Sequence, residues 1–423
     1  MRLSEQGDYF QFWLQFLASE GFQSARTRLL DLFVTMREVK KEPQAILEFQ
    51  QKICRDIITL QFLKTDLRDI DTSVAKFADH MRLTVMHLLD ALVWRLLDYN
   101  RTAVQILADH KPTGHLDDTF FDDLARAEQI TREEHAIVLV NDLTNVLRYG
   151  DLTIFKDGKP FPLENKSGKA SADSRRATRQ RLALQGLQRF LELGIRDTDY
   201  SRDYIFAPQF SHRTYHTSVA QAIGEARKNG YYQLQLSDCL AIEVLWLKYG
   251  DADIPQDRPF SQEEYILPVD NLSIADIPVT KIAPYGIFPF DDEACFGLLT
   301  GELGIRSVLN LRQLQKKYQQ VGLRLELPQP TKDEIRAYVS APIADRRKQL
   351  NRLALNIEDS RNNSMSADFN YLWPIVFEFW QEESLIEAQR QLLKFMGDMH
   401  FSDDKATRFY IGYGNERSIW TNL

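Results

Sequence analysis

The chain has 423 residues, more than one hydrophobic core ordinarily serves, so two or three domains are expected. Hydrophobic residues make up 44% and charged residues 26%, and no run of about 18 uncharged apolar residues occurs, which excludes a protein spanning the membrane by helices. The net charge of −8 excludes a chain coated in positive charge, yet a local basic patch would be enough to hold phosphates.

The opening MRLSEQGDYFQFW interrupts its apolar residues with polar ones and lacks the continuous apolar core of a secretion signal. Cys54, Cys239 and Cys295 are far apart and suggest neither a disulfide framework nor a zinc site. A cytoplasmic protein without a membrane partner is expected.

Residues 1–128 read as a helical region. Apolar residues recur at helical spacing in YFQFWLQFLASEGF, AILEFQQKICRDIITLQFL and MRLTVMHLLDALVWRLLDYNRTAVQILADH. Pro43 and Lys111-Pro112-Thr113-Gly114 are the main breaks. Asp79, His80 and His87 lie on such amphipathic helices and read as structural.

Residues 129–250 change character. The pattern predicts a helix over 131–148, a hairpin, a basic loop and a helix over 175–194. The hairpin rests on Asp157-Gly158 between two β-prone runs, a strong turn signal. A helix over 214–229 follows, closed by Gly230, and then a strand in YYQLQL. Residues 251–423 open on the Pro- and Asp-rich DADIPQDRPF. They read as an α+β region with short strands to 330, a helix over 307–321 and a helical remainder that includes NYLWPIVFEFWQEESLIEAQRQLLKFMGDM.

The chemistry concentrates in one string. Asp151 opens the first strand of the hairpin, and Glu164 and Lys166 close the second. Side chains alternate along a strand, so Glu164 and Lys166 share a side. Two converging carboxylates suit Mg²⁺ or Mn²⁺, and a lysine beside them suits a phosphate or the attacking water. From Lys166 to Arg181 the chain carries Lys166, Lys169, Arg175, Arg176, Arg179 and Arg181 against the one acid Asp173. In an acidic protein such a run points to a polyanionic partner.

Asp at a strand start, then Glu-x-Lys at the end of the next strand, with flanking helices, resembles the PD-(D/E)xK nuclease superfamily. The resemblance covers roughly residues 125–240. It implies an α/β restriction-endonuclease-like core, a mixed sheet flanked by helices. In such a core Asp151 and Glu164 would bind metal and Lys166 would assist the attacking water. The family often adds an acid from the preceding helix, here Glu134 first and Asp142 second. Asn141 and Asn145 share the predicted helical face with Glu134 and would line the site. A Gln on the following helix would be Gln180 or Gln185. The expected activity is Mg²⁺-dependent endonucleolytic hydrolysis of nucleic acid, DNA before RNA, in phage defence or DNA processing. A homo-oligomer or a controlling partner protein fits the large flanking regions. Asn165 stands where the family has an apolar residue, and it supports the alternative of a nucleic-acid-binding or scaffold protein with a degenerate site.

Two further clusters read as structural. His212 and His216 are four apart but lack a third ligand at metal spacing. Asp291-Asp292-Glu293 reads as a helix cap. No Gly-rich phosphate loop and no GxSxG elbow occur.

Overall fold

The computed structural model describes residues 18–67, 72–108, 120–156, 159–164, 185–191, 193–197, 201–206, 213–247, 266–270, 283–327, 354–398 and 406–411. Among these, helices combine with small and mostly antiparallel sheets.

The expected helical region begins with α1 (Glu20–Glu38), α2 (Pro43–Leu67), α3 (Thr72–Leu96) and α4 (Arg101–Leu107). Local chemistry sets their starts. The Ser19 hydroxyl accepts from the Phe22 N–H, the Asn100 side chain accepts from the Ala103 N–H, and Pro43 occupies a first-turn position where its missing N–H is harmless. The buried faces of α1 to α3 bring Phe33, Met36, Ile53, Ile57, Leu88, Leu92 and Trp94 together. This core is continuous with the rest of the chain, from Phe22 to Leu393.

The next helix, α5, covers Phe120–Glu134, so the expected boundary at 128 falls inside it. The helix predicted over 131–148 is corrected: it stops at Glu134, and His135 takes a positive φ of 52°. Ile137–Val140 then forms strand β1, because this short run of branched apolar residues is sealed from water between α2, α5 and the next strand. Strands β2 (Leu152–Lys156) and β3 (Lys159–Leu163) complete an antiparallel meander in the order β1-β2-β3. The hairpin register runs from Lys156↔Lys159 to Leu152↔Leu163. Asp157 and Gly158 of the predicted turn lie outside the described residues. The helix predicted over 175–194 is described from 185 to 191 and at 193.

Strands β4 (Ile195–Asp197) and β5 (Ser201–Phe206) pair antiparallel. The predicted helix follows as α6 (His216–Asn229). Gly230 closes it at φ 77°, and β6 (Tyr231–Gln235) comes directly after. A four-stranded sheet then forms in the order β6-β7-β9-β8, from β7 (Leu240–Trp246), β8 (Ile266–Asp270) and β9 (Leu303–Asn310). The expected boundary at 250 therefore cuts between strands of one sheet, since β7 pairs with β9 along its whole length.

Asp291 caps α7 (Asp292–Thr300), as its sequence suggests, by accepting from the Ala294 N–H at 2.8 Å. The helix predicted over 307–321 is shorter, α8 (Leu311–Gln320). Residues 303–310 are all buried as the inner strand β9. The remainder is not wholly helical. Strands β10 (Leu323–Glu326), β11 (Ala354–Asp359) and β12 (Ser364–Asp368) form an antiparallel sheet ahead of α9 (Trp373–Glu378) and α10 (Glu382–Asp398). Phe379, at φ 58°, separates the two helices.

Strand β13 (Ala406–Ile411) returns to lie parallel to β5, giving the sheet β13-β5-β4. Phe409 stacks on Tyr204 with ring centres 5.5 Å apart. Arg101 on α4 forms a buried ion pair with Glu378 on α9. No helix among the described residues is long and apolar enough to cross a membrane.

Candidate active site

The meander delivers Asp151 and Glu164 to the same end of the β2–β3 pair, each one residue beyond the last paired positions Leu152 and Leu163. Gly150 makes this entry. It holds φ 72°, and a Cβ there would lie 2.6 Å from the Leu163 carbonyl oxygen, so only glycine fits without displacing backbone. The Asp151 N–H donates to the Leu163 carbonyl at 2.9 Å, while the Asp151 carbonyl accepts from the Asn141 N–H at 2.9 Å. A regular antiparallel residue exchanges both bonds with one neighbour. Asp151 bonds to both, so its backbone is fixed from two sides.

Asn141 and Asn145, expected to line the site, are instead buried braces. The Asn141 side-chain amide donates to the carbonyls of Tyr149 at 2.8 Å and Gly150 at 3.0 Å. Its oxygen accepts from the Thr153 hydroxyl at 2.8 Å. One side chain thus ties the turn before Asp151 to the strand after it. Asn145 is held by Asp90 of α3, which accepts from its backbone N–H at 2.6 Å and from Nδ2 at 3.0 Å. On the other side of the meander, Gln50 of α2 donates to the Val138 carbonyl at 3.2 Å and accepts from the Val140 N–H at 2.7 Å, satisfying the outer edge of β1.

The residues of this end that remain partly open to solvent are Asp142, Arg148, Gly150, Asp151, Leu163 and Glu164. Arg148 was not singled out in the sequence, where one basic residue before a Tyr-Gly turn carries no signal. Its Nε donates to the Asn145 carbonyl at 3.0 Å and Nη2 to Asn145 Oδ1 at 3.3 Å. Burial lowers its pKa, against the charges of Asp90 and Asp142, which raise it. Asp142 follows directly on Asn141, the residue hydrogen-bonded to Asp151, so the second-choice acid is the one near this end.

Glu134, the first choice as a third metal ligand, is corrected. It pairs with Lys156 at 2.9 Å, and Lys156 ends the strand whose opposite end follows Asp151. Five residues of strand put about 17 Å between the two positions. Among the described residues no group of three or more His, Cys, Asp or Glu gathers to hold a metal ion. Lys166, Lys169, Arg175, Arg176, Arg179, Gln180 and Arg181 lie outside the described residues. Gln185 is exposed and is the first described residue of its helix.

The other titratable clusters are built into the core. His80 is buried, meets the Thr300 carbonyl at 3.1 Å, and is pushed down to about 4 by burial. Burial also lowers His87. Burial raises Asp79, but hydrogen bonds from Lys64 and Arg82 outweigh it and hold the carboxyl below its usual range. His216 meets the Glu378 carbonyl at 2.9 Å and is pushed down to about 3 by burial, whereas His212 lies outside the described residues. All three cysteines are buried and free. Comparison of the chain with family models, with curated proteins and with solved structures finds no match.

Proposed function

We propose that this chain is a metal-dependent phosphodiester hydrolase acting on nucleic acid, with a restriction-endonuclease-like core and DNA as the favoured substrate. The observation that carries this reading is the entry to β2. Two half-buried carboxylates, Asp151 and Glu164, share one end of a braced antiparallel pair, with Arg148 and Asp142 on the adjoining turn.

These residues fit a hydrated Mg²⁺ or Mn²⁺, which keeps several waters and needs only one or two carboxylates. They do not form a closed cage of three or more ligands. Asp151 and Glu164 would hold the ion, which when bound would supply Lewis-acid stabilisation and a more acidic water. Arg148 would offer its fixed guanidinium to a phosphate oxygen of the substrate. Lys166, two residues beyond Glu164, would share the orienting of the attacking water, and the basic run to Arg181 would hold the backbone.

The test is incubation of the purified chain with plasmid and with single-stranded DNA and RNA, in Mg²⁺, Mn²⁺ or EDTA. It is repeated on Asp151→Ala, Glu164→Ala and Lys166→Ala. Metal-dependent cleavage lost in all three supports the reading, and cleavage indifferent to all three overturns the site. The second reading is a nucleic-acid-binding or scaffold protein with a degenerate site. It is favoured by the pairing of Glu134 with Lys156, at the far end of β2 from Asp151. Salt-sensitive binding without cleavage would select it.

A further inference from the structure

We propose that Asp90, in the N-terminal helical region, is a positioning residue for the Asp151 site; this rests on the hydrolase reading above and deepens it. Asp90 is fully buried on α3. A carboxylate in that position is costly unless its oxygens are bonded, and bonds to a charged acceptor are the stronger kind. Both of its oxygens accept from the same loop residue, Asn145, through the backbone N–H and the side-chain amide.

The loop then relays the constraint. Asn145 presents its carbonyl and its Oδ1 to the Arg148 guanidinium. The Thr144 hydroxyl accepts from the Leu147 N–H at 2.9 Å and donates to the Asn141 carbonyl at 3.2 Å. Asn141 in turn grips Tyr149 and Gly150, the residues directly before Asp151. Segment 141–151 is therefore a succession of side-chain clamps, and Asp90 ties it to the helical core. In this arrangement the helical region is part of the site's framework. Groups that orient metal ligands commonly change affinity or activity by about 10- to 100-fold when removed.

The substitution Asp90→Asn keeps the shape of the side chain. If its oxygen stays on the Asn145 N–H, its new amide faces the Asn145 amide, donor against donor. Adding Asn145→Asp turns that second amide into an acceptor and restores the match. Asn145→Ala, which keeps the backbone bond to Asp90 but removes both the side-chain amide donor and the Oδ1 that accepts from Arg148, serves if Asp90→Asn does not fold.

Mn²⁺ binding to the full chain would be measured by isothermal titration, beside thermal melting and plasmid cleavage. The expected result is Mn²⁺ binding weakened about 10-fold or more in Asp90→Asn or Asn145→Ala, below the melting transition. The double variant should return to within about 3-fold of wild type. Wild-type Mn²⁺ binding in Asp90→Asn and Asn145→Ala, while Asp151→Ala loses it, would overturn the role of Asp90 and leave the hydrolase reading standing. So would a double variant that melts like wild type yet is not restored. If wild type shows no Mn²⁺ binding that Asp151→Ala removes, the hydrolase reading falls and the role of Asp90 falls with it.

Discussion

Gly150 and Leu163 touch backbone to backbone: a Cβ at position 150 would stand 2.6 Å from the Leu163 carbonyl oxygen and 2.9 Å from its carbon. The same carbonyl accepts the Asp151 N–H. Gly150→Ala would therefore combine a left-handed backbone, costing about 1–3 kcal/mol, with a collision that pushes β3 away from β2. The expected outcome is a melting temperature several degrees lower and, under the proposed function, loss of the Mn²⁺ binding that depends on Asp151. A variant that melts and binds like wild type would show that the close approach is relaxed in solution.

Asn141 tests whether the brace around Asp151 is local. Asn141→Leu has a similar size but leaves the Tyr149 and Gly150 carbonyls without this donor and the Thr153 hydroxyl without this acceptor. The expected loss is about 2–3 kcal/mol in chemical denaturation. Hydrogen exchange should show the 141–152 segment opening ahead of the surrounding core. Uniform loss of protection across the chain would count against a local brace.

The buried Arg101–Glu378 pair links α4 to α9, and the Glu378 carbonyl also holds His216. Removing one charge from such a pair is far worse than removing both. Glu378→Gln is expected to cost about 3–5 kcal/mol, measured by chemical denaturation. Arg101→Met combined with Glu378→Leu is expected to cost less than the sum of the single changes. Additive costs in that cycle would deny the coupling.

Acid sensitivity follows from the buried histidines. Burial holds His80 at about 4 and His216 at about 3, and lowers His87, against an ordinary value of 6.5. The folded values are depressed, so between about pH 6.5 and about pH 4 the unfolded chain binds more protons and stability falls as pH falls. The displacement of His80 alone corresponds to about 3 kcal/mol across that window. The ion-paired Asp79 and Glu383 are also held low, and their contributions are lost only further down, as pH passes through their folded values. Denaturation curves from about pH 7.5 to about pH 4.5 should show a steep loss that His80→Asn makes shallower. A flat profile would mean that these histidines bind protons as readily in the fold as in the unfolded chain.

Local chemistry was legible in the sequence wherever one residue acts on its neighbours. The Gly230 end of α6, the Asp291 cap of α7 and the pairing that flanks Asp157-Gly158 all follow from such short-range rules. So does the delivery of Asp151 and Glu164 to one strand end, because a two-strand register is set by its turn.

Tertiary structure decided what depends on partners far along the chain. Ile137–Val140 and Leu303–Asn310 became strands because each is buried between distant elements, and a short apolar run does not distinguish an inner strand from a buried helix. Asn141 and Asn145 became braces because Tyr149, Gly150 and Asp90 supply their bonds, and Glu134 was drawn to Lys156 at the far end of β2. The Asp151–Glu164 pair is thus a local consequence of the chain, while its setting against α3, with Arg148 beside it, exists only once residues 55 positions apart have met.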